Sequence, residues 1–243
     1  VTGVQTCALP ILNFGIYVAS STSFTLLDSL TTAITATTSL TILMASGSAS
    51  FNTGNYNITA PTGIYLQAGT VNMGSGDWRT DDFETTTSPS LTINKGTAPI
   101  IFDSGYSSCY FIGAGYNYYN IKIANNTTLY IQDSNTIDSI TTDTSGNNDL
   151  VLYYGTTQTV SNFSFSGVAG NLNTITASGT VGTTPILSKS SGTVTVNYVS
   201  ITNNTASGGA TWYDVNGVDG GGNTGWIFTI SGGGGNFLTF FPM

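Results

Sequence analysis

The chain has 243 residues, of which 40% are hydrophobic and 7% charged, with a net charge of −8; ordinary domains are about 25% charged. It is long enough for a sizeable core or a solenoid, and too apolar for disorder to be the default. Its four cations (Arg79, Lys95, Lys122, Lys189) form no basic stripe, which argues against a nucleic-acid ligand or an anionic membrane surface, and the absence of His removes the commonest general base and transition-metal ligand.

Residues 1–11, VTGVQTCALPI, resemble the translation of a common sequencing-library adapter. That resemblance implies an artefact outside the fold, an environmental sequence assembly as the source, and a missing true N-terminus. The competing reading is the apolar region of a signal peptide over residues 8–19, but no Lys or Arg precedes it. Setting Cys7 aside leaves Cys109, so no intrachain disulfide and no cysteine metal site is expected. Among Tyr106, Tyr110 and Phe111, Cys109 reads as a buried, inert thiol rather than a reactive one.

No apolar run reaches the about 18 residues of a membrane span. No segment keeps a helical period either; residues 26–36 come nearest, and their Thr content argues against a helix. Instead, short alternating runs recur at 39–44, 56–59, 64–67, 90–93, 120–123, 128–131, 150–153, 162–165, 193–196 and 198–201. Each is bounded by Gly, Asn, Ser or Pro and predicts a strand. A weak repeat runs through them, with apolar positions at i, i+3 and i+5. Tyr118, Ile121 and Ile123 fit it, as do Ile137, Ile140 and Thr142, then Val160, Phe163 and Phe165, then Val196, Val199 and Ile201, with Leu172, Ile175 and Ala177 filling the longer gap.

A period of about 20 to 25 residues with short strands predicts a right-handed parallel β-helix over residues 12–231. One coil is too small to bury its own apolar side. Coils stacked at about 4.8 Å pair their backbones and pile like side chains into internal ladders. The alternative architecture is a β-sandwich, which also strings short strands between turns. Toward the C-terminus, the aromatic-rich stretch 211–230 reads as a cap on the open end of the solenoid. Residues 232–243 read as a Gly linker and an apolar tail, NFLTFFPM, that favours self-association as a homo-oligomer.

The stretches TTQTVSNFSFSG (156–167), ILSKSSGTVTVNYVSITNNTASGGATWY (186–213) and NTGWIF (223–228) resemble uncharacterised β-rich proteins of environmental phages and bacterial surfaces. The terminal GGGGNFLTFF also resembles short aromatic endings of phage structural proteins. The likeness covers the second half, with SFNTGNYNITA (50–60) a looser match in the first. It implies a β-helix in a virion appendage or surface layer and no catalytic residues.

Three clusters are candidate sites. The densest acidic stretch, GDWRTDDFE, holds Asp77, Trp78, Asp81, Asp82 and Glu84. It is a candidate for glycan binding, with Trp78 stacking on a sugar, or for Ca²⁺; the bland alternative is a solvated loop screened by Arg79. Tyr116, Tyr118, Tyr119 and Tyr130 are a candidate aromatic face for carbohydrate, against the alternative of internal ladders. Asp214, Asn216 and Asp219, in DVNGVDGG, resemble a calcium loop in composition, but the spacing departs from one and the late Glu is absent. Glycan hydrolysis needs two carboxylates about 5–9.5 Å apart. In the repeat, Asp138 aligns with Tyr119, Ser161 and Asn197, and Asp143 with Ala124, Ser166 and Thr202, so no carboxylate stacks on another. That weakens the enzymatic reading, and with what the resemblance implies, the expected function is a non-enzymatic structural protein of a phage virion, a tail fibre or similar appendage that binds a host surface glycan. Its expected partners are itself and other virion proteins, and its expected place is the virion or the cell surface. The alternatives are a bacterial surface adhesin and a polysaccharide depolymerase.

Overall fold

The computed structural model describes residues 13–18, 23–31, 39–44, 48–87, 90–103, 108–143 and 146–231. The expectations for residues 1–11, for the tail at 232–243 and for Tyr106 lie outside them. The described chain is all-β, without a helix, and its strands stack as a parallel β-solenoid. The largest sheet has ten strands, from Asn13–Val18 through Gly63–Leu66, Asp82–Thr85, Cys109–Ile112, Thr128–Ile131, Asp149–Tyr153 and Asn173–Ser178 to Val218–Asp219. A nine-stranded sheet runs beside it from Leu30–Thr31 to Thr205–Ser207. The third side is a four-stranded sheet in the first half of the chain and a three-stranded sheet, Thr193–Asn197, Thr211–Val215 and Trp226–Thr229, at the end.

The sequence repeat has a simple structural origin. In Asn117–Ile123, Asn135–Thr142 and Thr157–Ser164 the chain bends within one strand, so that two consecutive residues face outward. Tyr119 and Asn120 do so, as do Asp138 and Ser139, and Ser161 and Asn162. Inward positions therefore fall at i, i+3 and i+5 rather than at the plain period of two. The register stacks Tyr118 on Ile137 on Val160, and Ile121 on Ile140 on Phe163, as the repeat predicts.

The last two sets require correction. Val196, Val199 and Ile201 do not continue that ladder, because Val196 belongs to the three-stranded sheet while Val199 and Ile201 belong to the ten-stranded one. Ile175 stacks between Leu150 and Ile201, also in the ten-stranded sheet. The same spacing recurs because it marks a corner, and these residues turn a different corner, through Tyr198 at φ 55°. The alignments of Asp138 with Asn197 and of Asp143 with Thr202 fall with it.

The core is a set of ladders. Ile64, Phe83, Phe111, Ile131 and Leu152 pile up under the ten-stranded sheet, and each is fully buried. A buried side chain of this size contributes about 1.5–3 kcal/mol. Cys109 sits fully buried in the next column, on Leu129. Corners use residues that tolerate the left-handed region: Asn55, Asn125, Asn126, Asn147, Asn203 and Asn216 all have positive φ. Asn side chains also bind across coils. Asn94 Nδ2 donates to Asn72 Oδ1 at 2.6 Å, and Asn72 in turn donates to Asn52. Residues 211–230 carry the stack onward as strands, with Trp212 directly on Trp226 at 5.2 Å between ring centroids.

Candidate functional site

The acidic stretch 77–84 is divided among three environments by the alternation of its strands and the corner between them. Trp78 faces the core, is 0% exposed and donates Nε1–H to the Met73 carbonyl at 3.2 Å. It cannot stack on a sugar, which corrects that part of the expectation. Asp77 lies on the outside of the nine-stranded sheet, where Arg79 bridges it at 2.9 Å and also pairs with Asp103. Asp81 turns the corner. Asp82 and Glu84 then point outward from the ten-stranded sheet on either side of the buried Phe83. The two are alternate residues on one strand, so their Cα atoms lie about 6.6–6.8 Å apart.

The four tyrosines do not make one face, again a correction. Tyr118 is 0% exposed, packs edge-on to Phe83 and Phe111, and donates its hydroxyl to the Gly113 carbonyl at 2.9 Å. Burial pushes that hydroxyl well above its usual range. Tyr116 is half-buried against the core and bonds the Leu91 carbonyl. Tyr119 lies outside the nine-stranded sheet, 38% exposed. Tyr130 alone joins the acids, on the outer face of the ten-stranded sheet.

That outer face assembles groups far apart in sequence. In one column Asp82 pairs with Tyr110 and Tyr110 with Tyr130. The Tyr110 and Tyr130 rings stack with centroids 5.1 Å apart and planes 24° apart. On the other side of Asp82 the Tyr65 ring lies over Gly63, where an added Cβ would come within 2.8 Å of it. The neighbouring column runs Tyr65, Glu84, Ile112, and Gln132 donates to the Tyr153 hydroxyl at 3.4 Å just beyond it. Two open clefts meet at Glu84 and Ile112. One of about 230 Å³ is also lined by Asp82, Tyr110 and Gln132. The other, about 520 Å³, is also lined by Thr85, Ala114 and Asp133.

The electrostatics follow from partial burial beside like charges. Burial raises the Asp82 carboxyl above its ordinary value, the Tyr110 N–H at 3.0 Å lowers it in part, and Asp81 and Glu84 raise it again. Tyr65 is raised by burial and then by Asp82 and Glu84. Sequence reading named Asp82, Glu84 and Tyr130 but missed Tyr65, Tyr110 and Gln132. The usable signal for Tyr65 and Tyr110 was the strand alternation of 63–66 and 109–112, and for Gln132 that of 128–131 carried one residue further.

The candidate calcium loop does not converge. Asp214 is fully buried between Val196 and Phe228, under Gly217, whose added Cβ would meet Asp214 Oδ2 at 1.8 Å. Burial drives its pKa up to about 7, and the Val199 N–H offsets part of that rise; neither oxygen has a hydrogen bond of normal geometry. Asn216 bonds Ser231, while the exposed Asp219 accepts from the Gly221 N–H and from Asn223. Among the described residues no three His, Cys, Asp or Glu side chains gather as a metal site, and no helix is long and apolar enough to cross a membrane. No protein-family model matches the chain, and no curated protein and no solved structure matches it.

Proposed function

We propose that this chain is a structural protein of a phage virion, part of a tail fibre or similar appendage, whose solenoid presents a host-binding face. The observation that carries the reading is the outer face around Asp82. A rigid parallel sheet holds acids and stacked tyrosines in fixed register, as a recognition surface on a structural rod requires. The resemblance of residues 156–167, 186–213 and 223–228 to phage and surface β-rich proteins supports the virion setting. Immunogold imaging of particles tests it: label on the appendage is expected, and particles without label would sink it. A bacterial surface adhesin is distinguished by gene neighbours, since secretion genes rather than tail genes would flank it.

Depolymerase activity is the second reading, favoured by one observation. Asp82 and Glu84 project from the same face of one strand and both line the smaller cleft, so two carboxylates border one open site. Turnover on a panel of capsular polysaccharides, abolished by Asp82→Asn, is the expected sign of it; an intact polymer after long incubation counts against it.

A further inference from the structure

Building on the host-binding reading, we propose that the outer face formed by Tyr65, Asp82, Glu84, Tyr110, Tyr130 and Gln132 binds a neutral glycan, one whose pyranose rings bear hydroxyls but no carboxylate, phosphate or sulfate.

Charge decides the class. Asp82, Glu84 and Asp133 line the clefts, and no Lys or Arg does. Arg79 pairs with Asp77 and Asp103, and Lys95 with Asp138. An anionic ligand would meet like charges with nothing to offset them. A bare metal ion is disfavoured as well, because no three acidic, His or Cys side chains gather there among the described residues. Sugar hydroxyls suit the site: carboxylates and the Gln132 carbonyl accept their protons, and such charge-assisted hydrogen bonds are the stronger kind.

Shape decides the rest. The column Tyr65 (over Gly63), Asp82, Tyr110 and Tyr130 takes one outward group from each of four successive coils. At about 4.8 Å per coil it spans about 14 Å, the reach of an oligosaccharide rather than of one sugar. Aromatic rings beside acceptors provide the apolar and polar halves that a pyranose presents. The Tyr110 and Tyr130 rings are held by the register and by their mutual stacking, so little side-chain freedom is lost on binding.

The test is a glycan array probed with the labelled full chain, carrying neutral glucans, mannans and galactans beside uronate-, sialate- and phosphate-bearing polymers. Binding to a neutral member is expected. By calorimetry on that member, Tyr110→Ala and Glu84→Gln should each weaken affinity about tenfold, while Tyr119→Ala on the nine-stranded sheet leaves it unchanged. Unaltered melting of the variants separates lost contacts from lost fold. Preference for the anionic polymers, or neutral binding insensitive to Tyr110→Ala and Glu84→Gln, would overturn the proposal. So would a lack of binding to every neutral glycan, and virion labelling would still report separately on the appendage reading.

Discussion

Replacing Asp214 by Asn removes a charge that the fold cannot solvate while keeping the side chain's shape. The carboxyl sits fully buried between Val196 and Phe228, with the Val199 N–H nearby but no hydrogen bond of normal geometry on either oxygen. Its pKa rises from 3.8 to about 7. At about 1.4 kcal/mol for each tenfold change in proton affinity, the ionised side chain costs at most about 4 kcal/mol. The pH dependence has a definite sign. Below the unfolded value both states hold the proton and Asp214 costs nothing. As pH rises toward 7 the unfolded chain releases its proton and the folded chain does not, so stability falls; above about pH 7 the loss is complete. Urea unfolding of wild type and Asp214→Asn between pH 4 and pH 8 checks this, because the difference between the two cancels the other carboxylates. The variant should match wild type near pH 4 and gain on it steadily, by up to about 4 kcal/mol at pH 8. Parallel pH profiles for the two proteins would refute the reasoning.

Three further expectations rest on other parts of the solenoid. Phe83→Ala empties a position that stacks on Phe111 at 5.7 Å and meets Trp78 and Tyr118 edge-on; a loss of about 3–5 kcal/mol in denaturant melts is expected, and a loss under about 1 kcal/mol would show that the ladder collapses around the gap. Gly96→Ala should destabilise more than Gly155→Ala, as thermal melts can compare. Both have positive φ, but a Cβ at 96 would lie 2.1 Å from the Gly74 carbonyl oxygen, whereas one at 155 meets nothing within 4 Å. Arg79→Ala removes pairs to Asp77 and Asp103 whose side chains are all partly exposed; stability should change by about 1 kcal/mol or less, and a cooperative collapse on mutation would contradict that.

The candidate site was legible only in part. Asp82 and Glu84 stood out as charges in a chain with few of them. In the sequence Trp78 and Tyr118 are equally available, but the inside-or-outside choice for an aromatic depends on which alternate positions of its strand face the core. At Tyr118 the bend of Asn117–Ile123 turns that residue inward and its neighbour Tyr119 outward. Asp214 was similarly misplaced: its composition reads as a calcium loop, but its strand pairs between Thr193–Asn197 and Trp226–Thr229 and buries it.

By itself the sequence determined the class of the fold. Sparse charge, short alternating runs and the i, i+3, i+5 spacing are local properties, and together they point to an all-β chain and favour coils that bury their apolar side by stacking over a β-sandwich. They also located the bends of the three central coils. Only the tertiary structure decided which coil lies on which, because identical spacing at Val196–Ile201 marks a corner of another sheet. Only it brought Asp82, Tyr110 and Tyr130 into one column, with the Tyr65 ring reaching over Gly63 to its end. Parallel pairing sets neighbours about 20 residues apart in sequence at about 4.8 Å in space, and the length of each intervening turn, which no local pattern encodes, fixes that register.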